Sequence, residues 1–254
     1  MIGQHYLICG GTNGLGLELV HTLLKKGVTV SVIGRKFDVL ERRIPQILKA
    51  RLHTYKVDLM DHDAVSRFVS QLPKHTRFDG YIYAAGVGFF KRIDTHSTDE
   101  FMQTYRINIL QFNALLEKLK PFFTSSLTVI GISSMASLAT QPSAAHYSAS
   151  KAALAMTLNA LRMENPEYHV MTVYPGPIKT NFHAKADPSG DYAAKVERMM
   201  LDPKQLAEDI VKHAAKGRIE LYRPLWMYMM LKLYQLAPRT IERLLKPIFM
   251  SKEK

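Results

Sequence analysis

Short runs rich in β-branched residues alternate with longer stretches of helical period along most of this chain, and that alternation leaves few folds open to it. Tyr6 to Cys9, Val28 to Ile33, His53 to Val57, Gly80 to Ala84, Leu127 to Ile132 and His169 to Tyr174 read as buried strands. Between them Ala64, Val65, Phe68, Val69 and Leu72 recur as one apolar stripe, and Phe101, Tyr105, Phe112, Leu115, Leu116 and Leu119 as another. Strands joined through helices run parallel, so the pattern predicts an α/β fold: one doubly wound parallel sheet with helices on both faces, followed by a C-terminal helical tail. No Gly/Ser linker, internal repeat or low-complexity block divides the 254 residues. One domain over 1–254 is therefore expected, a length common for a fold with a single central sheet.

The polar stretch 177–200, with Pro188, Ser189 and Gly190, breaks the alternation just past the carboxyl end of a strand, where such folds bind ligands. It reads as a mobile lid over a substrate. Its Phe182, His183, Tyr192, Met199 and Met200 suggest an apolar pocket.

The lone cysteine, Cys9, cannot form an internal disulfide, and the start of the chain runs straight into a strand, so a cytoplasmic location is expected. The net charge of +12 calls for an anionic partner. From Lys216 onward nine Lys and Arg face three Glu, so half of the excess lies in the last 39 residues. Nucleic acid would need cations interleaved with exposed aromatics or a recognition helix, and neither stands outside the tail, so no nucleic-acid partner is expected.

The first strand runs into Cys9-Gly10-Gly11-Thr12-Asn13-Gly14-Leu15-Gly16, with a helical pattern after it. Glycines at that turn let the backbone approach a pyrophosphate, and the helix N-terminus offers free N–H groups. A tight turn with no ligand would look similar, but the strand before, the helix after and the second strand about twenty residues on supply the required context. After that second strand come Gly34, Arg35 and Lys36, with no carboxylate before Asp38. A guanidinium there pairs with a 2′-phosphate, whereas an acid would take the 2′-hydroxyl, so the residues point to NADP. Asp58, ending the third strand, is placed either to reach the adenine edge or to cap the helix starting near Asp61.

Tyr147 and Lys151 share one face at the start of an alanine-rich helix, and a nearby ammonium would lower the pKa of a phenol, ~10 when unperturbed. That would suit Tyr147 to act as a general acid or base. The spacing alone decides nothing, because Tyr228 and Lys232 repeat it. Only Tyr147 follows a strand ending in a serine, Ser134, thirteen residues upstream.

In the order and intervals of the glycine turn, Ser134, Tyr147-Ser148-Ala149-Ser150-Lys151 and Pro175-Gly176-Pro177-Ile178-Lys179-Thr180, the chain resembles the short-chain dehydrogenase/reductase family over residues 5 to about 220. The resemblance implies a Rossmann-like fold and an NADP-dependent oxidoreductase of carbonyl reductase type. It implies that Tyr147 transfers the proton, that Lys151 lowers its pKa and holds the nicotinamide ribose, and that Ser134 hydrogen-bonds the substrate oxygen. Asn108 matches the family's fourth catalytic residue and a proton relay through water; without the family it would read as a buried polar residue satisfied by the backbone. Gly10, Thr12, Asn13, Gly14, Leu15, Gly16, Ala85, Gly86, Pro175, Gly176, Ile178 and Thr180 are implied as cofactor contacts with Arg35, Lys36 and Asp58. Cys9 stands where the family has threonine, and Tyr83-Ala84-Ala85-Gly86 lacks the asparagines that tie the family's sheet together, so altered hydrogen bonding is expected at Ala84. A homodimer or homotetramer through the helices around Asn108 and Tyr147 is also implied.

The expected reaction is hydride transfer between NADP(H) and the carbonyl or alcohol of an apolar, lipid-like substrate. An NADP(H) sensor or regulator without turnover is the alternative, and it predicts a damaged set of catalytic residues. Leu225 to Leu236 is apolar nearly all round but falls short of the ~20 residues needed to cross a bilayer. Beyond Pro238, Ile241, Leu244, Leu245 and Ile248 are expected on one helical face, with Arg239, Arg243 and Lys246 elsewhere on the turn. The tail 225–254 is therefore expected either to pack on protein or to make a peripheral contact with an anionic membrane at its inner face.

Overall fold

The computed structural model describes residues 3–249, and of His62, Ile248 and Phe249 the backbone alone. The strands are β1 (His5–Cys9), β2 (Thr29–Gly34), β3 (Leu52–Lys56), β4 (Phe78–Tyr83), β5 (Phe123–Ile132), β6 (His169–Pro175) and β7 (Glu220–Arg223). They form one sheet in the order β3-β2-β1-β4-β5-β6-β7, and every neighbouring pair is parallel. Six of them fall close to the expected runs. β7 was not foreseen, since it has only four residues and buries only Leu221 fully. Ala84, where altered bonding was expected, donates its N–H to the Cys9 carbonyl at 2.9 Å and so extends the β1–β4 ladder.

Helices α1 (Gly14–Lys25), α2 (Asp38–Arg43), α3 (His62–Gln71), α4 (Thr98–Tyr105), α5 (Gln111–Lys118), α6 (Ala145–Glu164), α7 (Phe182–Ala186), α8 (Asp191–Val196) and α9 (Pro203–Ala214) surround the sheet. Alternate residues of β1 feed two cores: Tyr6 and Ile8 pack with Leu19 and Leu23 of α1 and Ile210 of α9. Leu7 and Cys9 pack on the other face with Phe68 of α3, Phe112 of α5 and Leu158 of α6. Each such apolar side chain stabilises the fold by ~1.5–3 kcal/mol relative to exposure. A sheet covered on both faces must be apolar on both, which is why its strands read as continuous runs.

Two expectations change. The stripe from Phe101 to Leu119 is interrupted by a π-helical turn over Arg106–Leu110, whose extra residue re-aims the side chains between α4 and α5. The tail is α10 (Leu225–Leu236), α11 (Pro238–Leu244) and α12 (Lys246–Phe249), so the expected single face after Pro238 is broken at Leu245. The Ile248 side chain and residues 250–254 lie outside the described residues. No helix among the described residues is long and apolar enough to cross a membrane.

Candidate active site

The strand order reverses at β1, and there the loops that leave β1 and β4 part to open a crevice beyond the carboxyl ends of the sheet. The first loop can be this tight only because Gly10 has φ +83° and no side chain: a Cβ on it would meet the Ala85 backbone nitrogen at 2.6 Å. Asn13 is extended and α1 begins at Gly14, so the free N–H groups of the helix open on the crevice. Thr180 closes on this turn from the opposite side, its Cγ2 lying 3.0 Å from where a Cβ of Gly14 would stand.

The crevice is a cavity of about 570 Å³. Gly10, Thr12, Asn13, Gly14, Leu15, Gly16, Arg35, Asp58, Ala85, Gly86, Ser134, Tyr147, Lys151, Pro175, Gly176, Ile178 and Thr180 all line it. Lys36 does not: the chain turns at Gly34, and of the two adjacent cations only Arg35 reaches the wall. Asp58 lines the wall and accepts the N–H of Met60 at 3.0 Å, whereas the cap of α3 is Asp61, which accepts from Asp63 and Ala64. The glycine-bounded cleft and a helix N-terminus form a cradle that fits the pyrophosphate of a dinucleotide, with an exposed guanidinium at its edge.

At the other end of the cavity Ser134 ends the loop after β5, and it shares the wall with Tyr147. Ser134 also accepts the Ala136 N–H at 3.1 Å, which fixes it as the cap of the single-turn helix Met135–Leu138. Lys151, 4% exposed, donates to the Ile132 carbonyl at 2.8 Å. Burial pushes the Lys151 ammonium down to about 8. The phenol departs from expectation, because burial pushes the Tyr147 hydroxyl up and the neighbouring Ser134 only partly offsets it. Lys151 is turned toward Ile132 rather than the phenol, so shared helix face alone does not deliver the ammonium.

Asn108 is fully buried and does not line the cavity. Its Oδ1 accepts the Val87 N–H at 2.9 Å, and its Nδ2 donates to the Val87 carbonyl at 2.9 Å and to Ser150 Oγ at 2.8 Å. Ser150 in turn donates to the Tyr147 carbonyl at 2.7 Å. The Asn108 amide is thus satisfied by the Val87 backbone and the Ser150 hydroxyl, and it lies beside Gly86 and Lys151.

The segment 177–200 folds as α7, α8 and a short 3₁₀ turn, and the carboxylate of Asp187 accepts from the Ser189 N–H, the Ser189 hydroxyl and the Tyr192 N–H. Phe182, His183, Tyr192 and Met199 line the cavity; Met200 does not. Phe90 packs edge-on against Tyr147 at 5.7 Å and Tyr192 at 5.1 Å. His183, 7% exposed, is held toward its neutral form by burial, and its Nδ1 has no hydrogen-bond partner among the described residues. Phe90, Gln141, Met227 and Leu231 also line the wall and were missed in the sequence. Met227 and Leu231 are four apart on α10, a spacing legible in retrospect as one helix face.

These features recur in known proteins. The family model described as short chain dehydrogenase matches residues 4–190. The protein named "Probable short-chain type dehydrogenase/reductase VdlC" of Helicobacter pylori is 27% identical over 91% of this chain and 92% of its own length. An NADPH-dependent 3-dehydrocapnine reductase of Ornithobacterium rhinotracheale is 30% identical over 74% of this chain and 70% of its own. A solved short chain dehydrogenase/reductase of Burkholderia phymatum, in complex with NAD, superposes with a TM-score of 0.81 at 15% identity, over 94% of this chain and 95% of that one, a likeness of fold.

Proposed function

Because the chain belongs to the short-chain dehydrogenase/reductase family, we propose that it is an NADP(H)-dependent reductase of apolar, lipid-like ketones or aldehydes, working reversibly on the matching alcohols. The observation that carries the reading is that Ser134, Tyr147 and Lys151 line one wall of the cavity that Arg35 also lines. Bound in the glycine cradle, the nicotinamide supplies the hydride. Ser134 orients the substrate oxygen, and Tyr147 gives that oxygen its proton, a role suited to a phenol kept protonated by burial. Lys151 uses one of its three N–H donors on Ile132 and keeps two for the nicotinamide ribose. Asn108 supports the relay by fixing the loop after β4 against α6.

Phe90, Phe182 and Tyr192 make the substrate end apolar, and the 3-dehydro group in the substrate name of the Ornithobacterium relative is a ketone. Selection of the 2′-phosphate rests on Arg35. A homodimer or homotetramer would use the α4–α6 side, where Met102, Leu110, Met156 and Met163 are exposed. The peripheral membrane contact is carried by the tail.

Titration with both nucleotides tests the cofactor. NADPH should bind tighter than NADH by about 10–100-fold, the ~1.5–3 kcal/mol of a hydrogen bond to a charged group, and Arg35→Asp should abolish the preference. Equal wild-type affinities would remove the NADP assignment. A ketone panel that includes long-chain 3-oxo compounds, followed by NADPH absorbance, tests the reaction; no turnover with any member would favour a binding protein.

A further inference from the structure

Helix α10 is apolar on two opposite sides, and its own domain covers only one. Inward, Met227 and Leu231 wall the cavity, Tyr228 stacks on Tyr222 of β7 with ring centroids 3.8 Å apart, and Tyr234 is 9% exposed. The Tyr234 hydroxyl bonds Thr140 Oγ1 at 3.1 Å and Glu242 at 2.6 Å. Outward, Leu225, Trp226, Met229, Met230, Leu233 and Leu236 stand 59%, 50%, 61%, 64%, 65% and 81% exposed. Their spacing of three and four residues makes one continuous stripe along the helix. Six large apolar side chains in one patch mark an interaction surface rather than scattered exposure.

The charges around the stripe choose its occupant. Helix α10 carries one charged residue, Lys232, and no acid. Arg239, Arg243 and Lys246 follow in α11 and α12, and the single acid among the described residues there, Glu242, is taken up by Tyr234 and Arg239. A second copy docking through the same patch would set these cations against their own images, which costs energy. An anionic bilayer neutralises them while its acyl boundary takes the apolar stripe. At about 1.5 Å per residue α10 is roughly 18 Å long, so it fits in the plane of a bilayer and cannot span one.

We propose that the outward face of α10 lies on an anionic lipid surface while its inward face walls the cavity, so that one helix separates membrane from active site. An apolar substrate dissolved in the bilayer then has only the width of this helix and the rim beside Met199 to pass. That second step rests on the ketone reading; the docking itself does not.

Trp226 is the only tryptophan in the chain and sits in the stripe, so it reports on the contact directly. The full chain is mixed with vesicles of phosphatidylcholine alone or with phosphatidylglycerol added, then read by Trp226 emission and by sedimentation. The expected result is a blue shift and pelleting with the anionic vesicles only, with release at high salt. The double variant Met230→Glu, Leu233→Glu should lose both signals and still bind NADPH, since both side chains point to solvent. A wild type that stays in the supernatant with unchanged emission overturns the proposal. So does a blue shift that grows with protein concentration in the absence of lipid, which would give the face to a second copy. Vesicle binding without ketone reduction supports the docking and removes only the ketone reading; reduction without vesicle binding does the reverse.

Discussion

The chain carries the same four-residue spacing of tyrosine and lysine twice, at Tyr147/Lys151 and at Tyr228/Lys232, and the two copies meet opposite environments. Lys151 is 4% exposed, and Tyr147 lines the cavity together with Ser134. Lys232 is exposed, its ammonium 5.5 Å from the Tyr228 ring, and that ring is stacked on Tyr222, which is stacked on Tyr174 at 4.6 Å. In the first copy burial raises the pKa of the phenol and lowers that of the ammonium, so both charged forms are disfavoured. In the second the tyrosine is a rivet that pins α10 to the sheet edge. The spacing only puts two side chains on one helix face; what the face meets decides whether they do chemistry.

The largest effect that could break this contrast is on turnover. Tyr147→Phe should reduce hydride transfer by ~10²–10⁴-fold and leave NADPH binding intact, while Tyr228→Phe keeps its ring stack and its activity. Single-turnover absorbance at saturating NADPH measures both. Equal losses at the two tyrosines would mean that the wrong copy has been given the chemistry.

Next in size is a pH effect on Lys151. The Lys151 ammonium titrates at about 8 in the fold against 10.5 outside it, so the folded state holds fewer protons between those values. The cost of burying the charge is therefore full below about 8 and fades as the pH rises to 10.5, a change of about 3 kcal/mol. Urea melts of wild type and Lys151→Met without nucleotide should show the variant's relative stability falling by that amount between neutral and alkaline pH. If the difference between wild type and Lys151→Met stays constant over that range, burial does not load this ammonium.

The smallest effect sharpens the structural side of the comparison. Tyr234→Phe removes the hydroxyl that ties α10 to Thr140 and Glu242, at a cost of about 1 kcal/mol, with catalysis preserved. The Glu242 carboxyl is held down to about 2 by hydrogen bonds from Thr140, Tyr234 and Arg239, so this tie is complete above the ordinary 4.5 and is lost as the pH falls through about 2. Trp226 emission across that acid range should change less in Tyr234→Phe than in wild type. An identical acid response would show that Glu242 does not anchor the helix.

The sheet and the glycine turn were legible because both follow from short-range rules: strands covered on two faces must be apolar throughout, and a backbone pressed against Ala85 admits no side chain at Gly10. Arg35 could be placed by its position after β2, but Lys36, one residue on, faces away, a distinction that needs the turn itself. The orientation of Lys151 was not legible, since nothing local says that the Ile132 carbonyl competes for it across nineteen residues. The inward face of α10 stayed hidden for another reason. A helix apolar all round carries no stripe, and only the packing of Met227, Tyr228, Leu231 and Tyr234 tells one side from the other.

The amide of Asn108 accepts from and donates to the same residue, Val87, in the way one strand residue pairs with another. A side chain here substitutes for a peptide group, extending backbone-like pairing to a place where no strand runs. Because the same amide also holds Ser150, which holds the carbonyl of Tyr147, the floor of the cleft and the helix bearing the phenol share one fastening. A displacement of either strains the same three hydrogen-bonded groups, so the two walls are fastened at one point.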